Sequence, residues 1–275
     1  MAAEPDSNGS VSRIRGALAV ITGASAGIGR ACAERLAADG ADLVLWARRE
    51  TRLVSLAEDL GTRYGVRVEA AKLDVRDRGA VDAAARALLD AGQVPDILIN
   101  NAGLAAGLAP IQEGDLDHWD RMIDTNVKGL LYVTRALLPA MIEAGRGHIV
   151  NIGSIAGYQV YPGGNVYNAT KYAVRALGEA LNIDLLGTPL RVSSVDPGLV
   201  ETEFSLVRFD GDEERAETVY EGYTPLSGAD VADVVAYVVA APPHVTIAHV
   251  RILPTAQRSA LHLHREGPLT RGPGS

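Results

Sequence analysis

The stretch Ala17–Gly29 (ALAVITGASAGIG) decides the fold of this 275-residue chain. Its first five residues are apolar and predict a short buried strand. A glycine-rich turn follows, and the apolar residues Ile28, Cys32 and Leu36 then recur at helical spacing. The order of strand, glycine-rich turn and helix is typical of the unit that binds dinucleotides in α/β proteins.

The glycine-rich turn has the spacing G-x-x-x-G-x-G rather than the commoner G-x-G-x-x-G. Gly23 permits a tight turn, Gly27 lets a pyrophosphate approach the backbone, and Gly29 permits close packing of helix against strand. The start of the helix adds free N–H groups and the positive end of the helix dipole. We therefore predict that a cofactor is bound here by Gly23, Ser25, Gly27, Ile28 and Gly29.

The end of the second predicted strand, Asp42–Ala47, indicates which dinucleotide is bound. An NAD site carries an acidic residue here for the ribose 2′-hydroxyl, whereas this chain has Arg48 and Arg49. A guanidinium suits a 2′-phosphate, which a carboxylate would repel. The two arginines therefore predict NADP(H) over NAD(H), the alternative being that they only solvate a loop.

Two further strand ends complete the predicted cofactor wall. The strand Val66–Leu73 ends in Asp74 and Val75, and a carboxylate there is placed to accept a hydrogen bond from the adenine amino group. The strand Asp96–Ile99 is followed by amide and small residues that let a cofactor lie close to the sheet. The residues predicted in this wall are Asp74, Val75, Asn101, Ala102 and Gly103.

A tyrosine and a lysine stand four residues apart in the segment Asn165–Lys171 (NVYNATK). In a helix, Tyr167 and Lys171 would share one face. A nearby ammonium favours the phenolate and so is expected to lower the pKa of Tyr167. Such a tyrosine can exchange a proton with a substrate, as the interconversion of a hydroxyl and a carbonyl requires. The pair alone also fits a solvated helix, so its function depends on its surroundings.

Two polar residues are predicted to lie near this pair. Ser154 follows the strand His148–Gly153, at the edge of the sheet where ligands bind in open α/β folds. Asn126 lies within a long predicted helix, Trp119–Met141, where its amide competes for backbone hydrogen bonds. We expect Asn126 to kink this helix or to hold a water molecule.

Composition excludes several classes of protein. The 47% hydrophobic and 5% aromatic content suits an α/β protein, and a net charge of −8 argues against a nucleic-acid partner. The single cysteine, Cys32, excludes an internal disulfide and suits a cytoplasmic location. No apolar run reaches the roughly 18 residues of a membrane span, and we see no secretory signal. The expected partner is a small-molecule substrate, with no metal site and no membrane contact.

The chain divides into three parts. Residues 1–13 are small and polar and predict a disordered N-terminal extension. Residues 14–259 hold the motifs and form one domain, which includes two later strands, Leu190–Val195 and Ala248–Leu253. Residues 198–225 are poorly periodic and are predicted to be a substrate lid. Residues 260–275 form a C-terminal tail.

Together, the glycine-rich turn, Asn100–Gly103, Ser154 and the Tyr167–Lys171 pair resemble the short-chain dehydrogenases/reductases. The resemblance runs from about Arg15 to Leu253. It implies an α/β fold: a single Rossmann-type domain with a seven-stranded parallel sheet and helices on both faces. It also implies an enzyme that oxidises alcohols or reduces carbonyls with a nicotinamide cofactor.

The resemblance further implies a role for each motif residue. Ser154 would polarise the substrate oxygen, Tyr167 would be the general acid or base, and Lys171 would hold the ribose and lower the pKa of Tyr167. Asn126 would seat a water molecule linking Lys171 to solvent. The residues near the nicotinamide carboxamide and diphosphate would be Pro197, Gly198 and Thr202.

A narrower resemblance links Asn100–Ala105, Gly163–Tyr167 and Thr202–Ser205 to the NADP-dependent 3-hydroxy acid dehydrogenases. It implies a short substrate such as serine, allo-threonine or 3-hydroxypropionate, and a homotetramer. We expect Arg208 to bind the carboxylate of such a substrate, the alternative being a loop arginine paired with Asp210 or Asp212.

Two other functions remain open. The first is a broad carbonyl reductase for uncharged ketones or a secondary metabolite, with an apolar substrate pocket formed by Tyr158, Val160 and Tyr161. The second is a non-catalytic NADP-binding sensor. An intact set of Ser154, Tyr167 and Lys171 argues against the sensor.

Overall fold

The computed structural model describes residues 11–266 and contains a parallel sheet of seven strands in the order β3-β2-β1-β4-β5-β6-β7. The strands are β1 Leu18–Thr22, β2 Asp42–Ala47, β3 Val68–Lys72, β4 Ile97–Asn100, β5 His148–Ile152, β6 Arg191–Pro197 and β7 His249–Ile252. The order reverses between β1 and β4, which open a crevice at their carboxyl ends. The seven-stranded parallel sheet predicted from the sequence is confirmed.

The helices cover both faces of this sheet. They are α1 Gly27–Ala38, α2 Glu50–Tyr64, α3 Arg78–Asp90, α4 Leu116–Ile123, α5 Leu130–Glu143, α6 Asn165–Asp184, α7 Phe204–Arg208, α8 Glu213–Thr218 and α9 Gly228–Val239. Local signals mark their ends: Asp77 caps α3, Ser227 and Asp230 form a capping box on α9, and Gly65 ends α2 in the left-handed conformation.

Alternate strand residues fill two apolar layers, because successive side chains of a strand point to opposite faces. In β1, Ala19 and Ile21 pack in one buried cluster with α1, α2 and α9. Val20, between them, packs in the opposite cluster with α3 and α5. A third, smaller cluster contains Leu104, Met122 and Tyr167. It lies apart from both layers and includes the predicted catalytic tyrosine.

The long helix predicted over Trp119–Met141 is not uninterrupted. A π-helical turn, Asp124–Gly129, separates α4 from α5 and contains Asn126. A π turn inserts an extra residue and is often found at functional sites. Here it rotates the buried Asn126 amide towards the backbone of Leu104, with which it forms two hydrogen bonds of 2.8 Å. The helix therefore departs from regular geometry at Asn126, and the departure is a widened turn.

The predicted lid, residues 198–225, contains two short helices, α7 and α8, rather than only irregular loop. It is fastened to the segment that follows β7. The buried Gln257 accepts a hydrogen bond from the Leu199 N–H at 2.9 Å, and the Arg265 guanidinium donates to the Val219 carbonyl at 2.9 Å. Residues 260–266, expected to belong to a tail, therefore pack against the lid.

The start of the described part of the chain differs from expectation. A 3₁₀ helix, Val11–Ile14, overlaps the extension predicted to be disordered, and Arg13 donates to the Ala240 carbonyl at 3.1 Å. Residues 1–10 and 267–275 lie outside the described part. Among residues 11–266, no helix combines the length and apolarity that crossing a membrane requires.

Candidate active site

A cavity of about 480 Å³ opens at the carboxyl ends of the strands, beside the crevice between β1 and β4. It extends from the glycine-rich turn to Lys171, and the lid covers it. All but one of the residues predicted to bind the cofactor border it. They are Gly23, Ser25, Gly27, Ile28, Arg48, Arg49, Asp74, Val75, Asn101, Ala102, Gly103, Tyr167, Lys171, Pro197, Gly198 and Thr202. The exception is Gly29, which lies against Gly23 and Asn101 instead.

Asn101 holds the glycine-rich turn in place. Its amide donates to the carbonyls of Thr22 at 2.9 Å and Gly23 at 3.3 Å. Gly23 has φ +68, and a Cβ added there would lie 2.8 Å from the Asn101 amide nitrogen. At Gly29, a Cβ would overlap the same amide and the Gly23 carbonyl. The turn therefore needs both glycines, and the asparagine after β4 shapes the turn after β1.

The two arginines after β2 differ in their surroundings. Arg49 donates from Nε to Ser25 Oγ at 3.1 Å and pairs with Glu203 of the lid at 2.6 Å. Glu203 also pairs with Arg52 at 2.6 Å. Arg48 is exposed at the rim of the cavity, and within residues 11–266 its guanidinium has no hydrogen bond or ion pair. Of the two, Arg48 is therefore available to a 2′-phosphate, whereas Arg49 is tied to the lid.

Asp74, placed in the adenine region by the sequence, is already paired. Arg76 forms hydrogen bonds of 2.6 to 3.0 Å to both of its carboxylate oxygens. The same guanidinium holds the pKa of Asp74 below its ordinary value. An adenine amino group would share this carboxylate with Arg76. Val75 is buried beside Gly129 of the π turn and forms an apolar part of the wall.

Asn126 and Lys171 converge on Gly103. A Cβ added to Gly103 would lie 3.2 Å from the Asn126 amide oxygen and 3.8 Å from Lys171 Nζ. The Asn126 amide also donates to Thr170 Oγ1 at 3.0 Å, and Lys171 Nζ donates to the Ile152 carbonyl at 2.9 Å. Because Lys171 is only 7% exposed, burial lowers its pKa to about 8. The side chain of Asn126 is thus a brace between α6 and the loop after β4.

Ser154 and Tyr167 both border the cavity and are buried. The Ser154 hydroxyl accepts a hydrogen bond from the Ala156 N–H at 3.1 Å, which fixes its position at the end of β5. The Tyr167 ring packs edge to face on Phe204 of the lid, with centroids 5.7 Å apart. The structure therefore brings together Asn126, Ser154, Tyr167 and Lys171.

The expected pKa shift of Tyr167 has the opposite sign. Burial raises the pKa of Tyr167, and the Arg208 charge and the Ser154 hydroxyl oppose this rise. The Lys171 ammonium is 6.0 Å from the centroid of the tyrosine ring and is directed at Ile152 instead. In the chain alone Arg208 is therefore the cation that opposes this rise, and the contribution expected of Lys171 stays a prediction.

Arg208 extends from the lid into the same cavity. Its Nη2 donates to the Tyr161 hydroxyl at 2.6 Å, and its guanidinium carbon is 5.0 Å from the centroid of the Tyr167 ring. Its Nε is buried and has no hydrogen-bond partner within residues 11–266. The alternative pairing with Asp210 or Asp212 does not occur, because Asp210 pairs with Arg121 and Asp212 caps α8.

The apolar pocket suggested for uncharged ketones is only partly present. Tyr161 borders the cavity, but its hydroxyl faces Arg208. The Tyr158 hydroxyl instead donates to the buried Asp196 at 2.8 Å, and Val160 is 63% exposed. Neither Tyr158 nor Val160 borders the cavity. This wall is therefore more polar than the sequence indicates.

Sequence reasoning missed three groups that line the cavity: Glu203, Phe204 and the C-terminal residues Gln257, Ala260 and Leu263. Glu203 and Phe204 immediately follow the predicted Thr202, so this position was a usable signal. The C-terminal residues gave none, because their role depends on the chain folding back over the lid.

Fold and site together define an α/β oxidoreductase that uses a dinucleotide. The cavity fits the cofactor: side chains at Gly23 and Gly29 would disrupt its turn, and the Arg48 guanidinium is unpaired within the described part of the chain. A family model described as short chain dehydrogenase matches residues 17–212, and the chain belongs to this family.

Several relatives are similar over nearly their whole length. The NADP-dependent 3-hydroxy acid dehydrogenase YdfG of Salmonella typhi is 46% identical over 250 residues, which cover 90% of this chain and 99% of the relative. Sulfoacetaldehyde reductase 2 of Chromohalobacter salexigens is 47% identical over 241 residues, which cover 87% of this chain and 95% of the relative. Among solved structures, the closed form of a serine dehydrogenase complexed with NADP+ has a TM-score of 0.85 at 43% identity. The match covers 90% of this chain and 100% of that structure's chain. The predicted resemblance is confirmed, and the names of the YdfG relative and of the serine dehydrogenase structure agree with the predicted cofactor.

Replacing Arg48 by Ala is expected to weaken NADPH binding about 10- to 100-fold, since a charge-assisted hydrogen bond contributes about 1.5–3 kcal/mol. Binding of NADH, which has no 2′-phosphate, should be unchanged. Fluorescence titration with both cofactors measures this, and Arg86→Ala, an exposed arginine on α3, is the control. Equal weakening of both cofactors would remove Arg48 from this role.

Proposed function

We propose that this chain is an NADP(H)-dependent oxidoreductase that interconverts the hydroxyl of a short 3-hydroxy acid with the corresponding carbonyl. The observation that carries the substrate class is the Arg208 guanidinium, which borders the cavity and has no carboxylate partner among the described residues. The relatives named for 3-hydroxy acids, serine and sulfoacetaldehyde support an anionic substrate.

The proposed cofactor residues are the glycine-rich turn for the diphosphate, Arg48 for the 2′-phosphate, and Lys171 for the nicotinamide ribose. The cofactor supplies or accepts a hydride at the substrate carbon. Ser154 hydrogen-bonds the substrate oxygen. Tyr167 gives a proton to that oxygen during reduction and takes it back during oxidation. Because burial raises the pKa of Tyr167, its phenol is protonated at neutral pH and is ready to act as the acid.

An anionic group on the substrate has one clear partner in the cavity. Arg208 presents a planar guanidinium, which can bind a carboxylate or a sulfonate through two nitrogens. Its Nη2 bonds Tyr161 through one N–H, so Nη1 and the second N–H of Nη2, which have no hydrogen bond within residues 11–266, are the donors left for a ligand. The guanidinium lies over the Tyr167 ring. A short acid held there would have its β-carbon near the phenol, which suits a 3-hydroxy acid.

Replacing Arg208 by Ala is expected to raise KM for 3-hydroxy acids about 10- to 100-fold, because a charge-assisted contact of about 1.5–3 kcal/mol is lost. KM for an uncharged secondary alcohol should not change. The measurement is NADP+ reduction with L-serine, L-allo-threonine and 3-hydroxypropionate beside the uncharged alcohol, and NADPH oxidation with sulfoacetaldehyde. Arg215→Ala is the control, since Arg215 is on the same lid but stacks on Phe209.

The same substrates separate the alternatives. Turnover of uncharged alcohols alone would favour the broad carbonyl reductase over the 3-hydroxy acid dehydrogenase. Turnover of sulfoacetaldehyde alone would keep the anion site and change the substrate class. Absence of turnover with every substrate, while the cofactor still binds, would favour the sensor.

We also propose a homotetramer assembled through α5 and α6. Apolar residues of these helices and of the turn after α6 are exposed, among them Leu131, Ile142, Ile183 and Leu186. Leu186, in the turn after α6, is 88% exposed. Contact with another copy of the chain would bury these side chains. The cytoplasmic location stays a prediction.

A further inference from the structure

Three aromatic rings surround the Arg208 guanidinium. Its carbon lies 5.0 Å from the centroid of Tyr167, 5.4 Å from that of Phe204 and 5.7 Å from that of Tyr161. Distances below about 6 Å to a ring centroid are those of cation–π contacts. The Gly107 N–H donates to the Arg208 carbonyl at 2.8 Å, so the backbone of this residue is fixed as well. The positive charge is therefore held beside the phenol of Tyr167.

We propose that Arg208 is a positioning residue that tunes the proton affinity of Tyr167, so that a lid residue controls the general acid and base. The proposal separates this role from substrate binding. Any substrate, charged or not, would experience it, because the interaction lies between two residues of the chain. It would also make the chemistry depend on whether the lid is closed over the cavity.

The charged and titratable groups near Tyr167 come from four segments of the chain. Lys171 lies on the same helix, α6, with its Nζ 6.0 Å from the ring centroid and bonded to the Ile152 carbonyl. Arg208 comes from α7 of the lid. Tyr161, from the loop before α6, donates no charge while protonated, and burial raises its pKa to about 12. Asp196 of β6 acts on Lys171 rather than on Tyr167.

Distance and electrostatics both rank Arg208 above Lys171 as the cation that acts on Tyr167 in the chain alone. The guanidinium of Arg208 is closer to the ring than the Lys171 ammonium is. In the chain alone, it is the cation that opposes the rise in the pKa of Tyr167 caused by burial. A cation at this distance stabilises the phenolate by an amount that corresponds to about one pH unit.

An anionic substrate would change this balance, a consequence that rests on the proposed function. A carboxylate bound to Arg208 cancels much of its charge, so the phenolate loses part of its stabilisation. In oxidation, the pH at which the rate rises should therefore be higher for a 3-hydroxy acid than for an uncharged alcohol.

The test combines Arg208→Gln, Arg208→Lys and the lid control Arg215→Gln. Ultraviolet absorbance follows tyrosinate formation in each variant, with and without Tyr167→Phe, so that the difference isolates Tyr167 in the chain without cofactor. We expect Arg208→Gln to shift this titration upward by about one pH unit. Arg208→Lys keeps the positive charge and should titrate close to the unmodified chain. Arg215→Gln should titrate like the unmodified chain.

The pH profile of kcat with an uncharged secondary alcohol gives the second readout. For Arg208→Gln we expect oxidation to be about tenfold slower below the midpoint, and reduction to persist to higher pH. A merely structural loss would lower both directions together. An unshifted titration in Arg208→Gln would overturn the proposal, even if KM for hydroxy acids rises. If that variant fails to fold, Arg208→Met takes its place, and an unshifted titration and profile in it beside a large KM change would overturn the proposal instead.

Discussion

Replacing Tyr167 by Phe is expected to reduce kcat about 100- to 10,000-fold in both directions, since this is the contribution of a positioned general acid or base. The phenol is the group from which the substrate oxygen gains its proton. The ring itself fills the apolar cluster with Leu104 and Met122 and contacts Phe204. Phenylalanine preserves this packing, so the fold and cofactor affinity should be retained.

The measurement for Tyr167→Phe is steady-state turnover, with NADPH fluorescence titration to show that the cofactor still binds. Tyr172→Phe is the matched control, because Tyr172 lies on the same helix and is 36% exposed. Its activity should equal that of the unmodified chain. A Tyr167→Phe variant within threefold of full activity, against the roughly 100-fold minimum loss expected, would show that another group transfers the proton.

Replacing Lys171 by Met is expected to abolish most activity and yet to stabilise the fold at neutral pH. Burial lowers the pKa of Lys171 to about 8, so holding its charge in the folded chain costs about 3 kcal/mol relative to water. Methionine removes this cost but leaves the Ile152 carbonyl without its donor, a loss of about 1–3 kcal/mol. A net gain of about 1 kcal/mol would raise Tm by about 2 °C, while kcat falls about 100- to 1000-fold.

The pH dependence distinguishes this cause from improved packing. In the unfolded chain Lys171 keeps its proton up to a pKa of about 10.4, whereas in the folded chain it loses it near pH 8. The unfolded state therefore binds more protons between these values, and the unmodified chain gains stability as pH rises through them. The thermal advantage of Lys171→Met should thus disappear towards pH 10. An advantage that is independent of pH, or one shared by Lys128→Met at an exposed ion pair, would contradict this account.

The sheet and the glycine-rich turn were accessible to sequence reasoning because their signals are local. Ala17–Gly29 carries an apolar run, the glycines and the helical spacing within 13 residues. Arg48 was identified for the same reason, since it directly follows a strand. The tetrad relied on family resemblance, because Asn126 and Lys171 are far apart in sequence and meet only at Gly103.

Other features depend on contacts between distant segments. Glu203 pairs with Arg49 at the cavity, which no property of the segment around Arg49 indicates. The sign of the Tyr167 pKa shift depends on burial, and a tyrosine–lysine spacing carries no information about burial. The π turn at Asn126 likewise reflects a partner, the Leu104 backbone, which lies 22 residues away along the chain.

The bridge from Glu203 to Arg49 and Arg52 has a consequence for turnover. Its side chains are 41–52% exposed, and exposed ion pairs contribute only about 0.2–1 kcal/mol each. The two pairs together favour the fastened lid by at most about thirtyfold. A fastening this weak can be released in every catalytic cycle without limiting it. Salt screens such pairs, so the ionic strength of the medium, rather than any change in the chain, would set how tightly this margin of the cavity is shut.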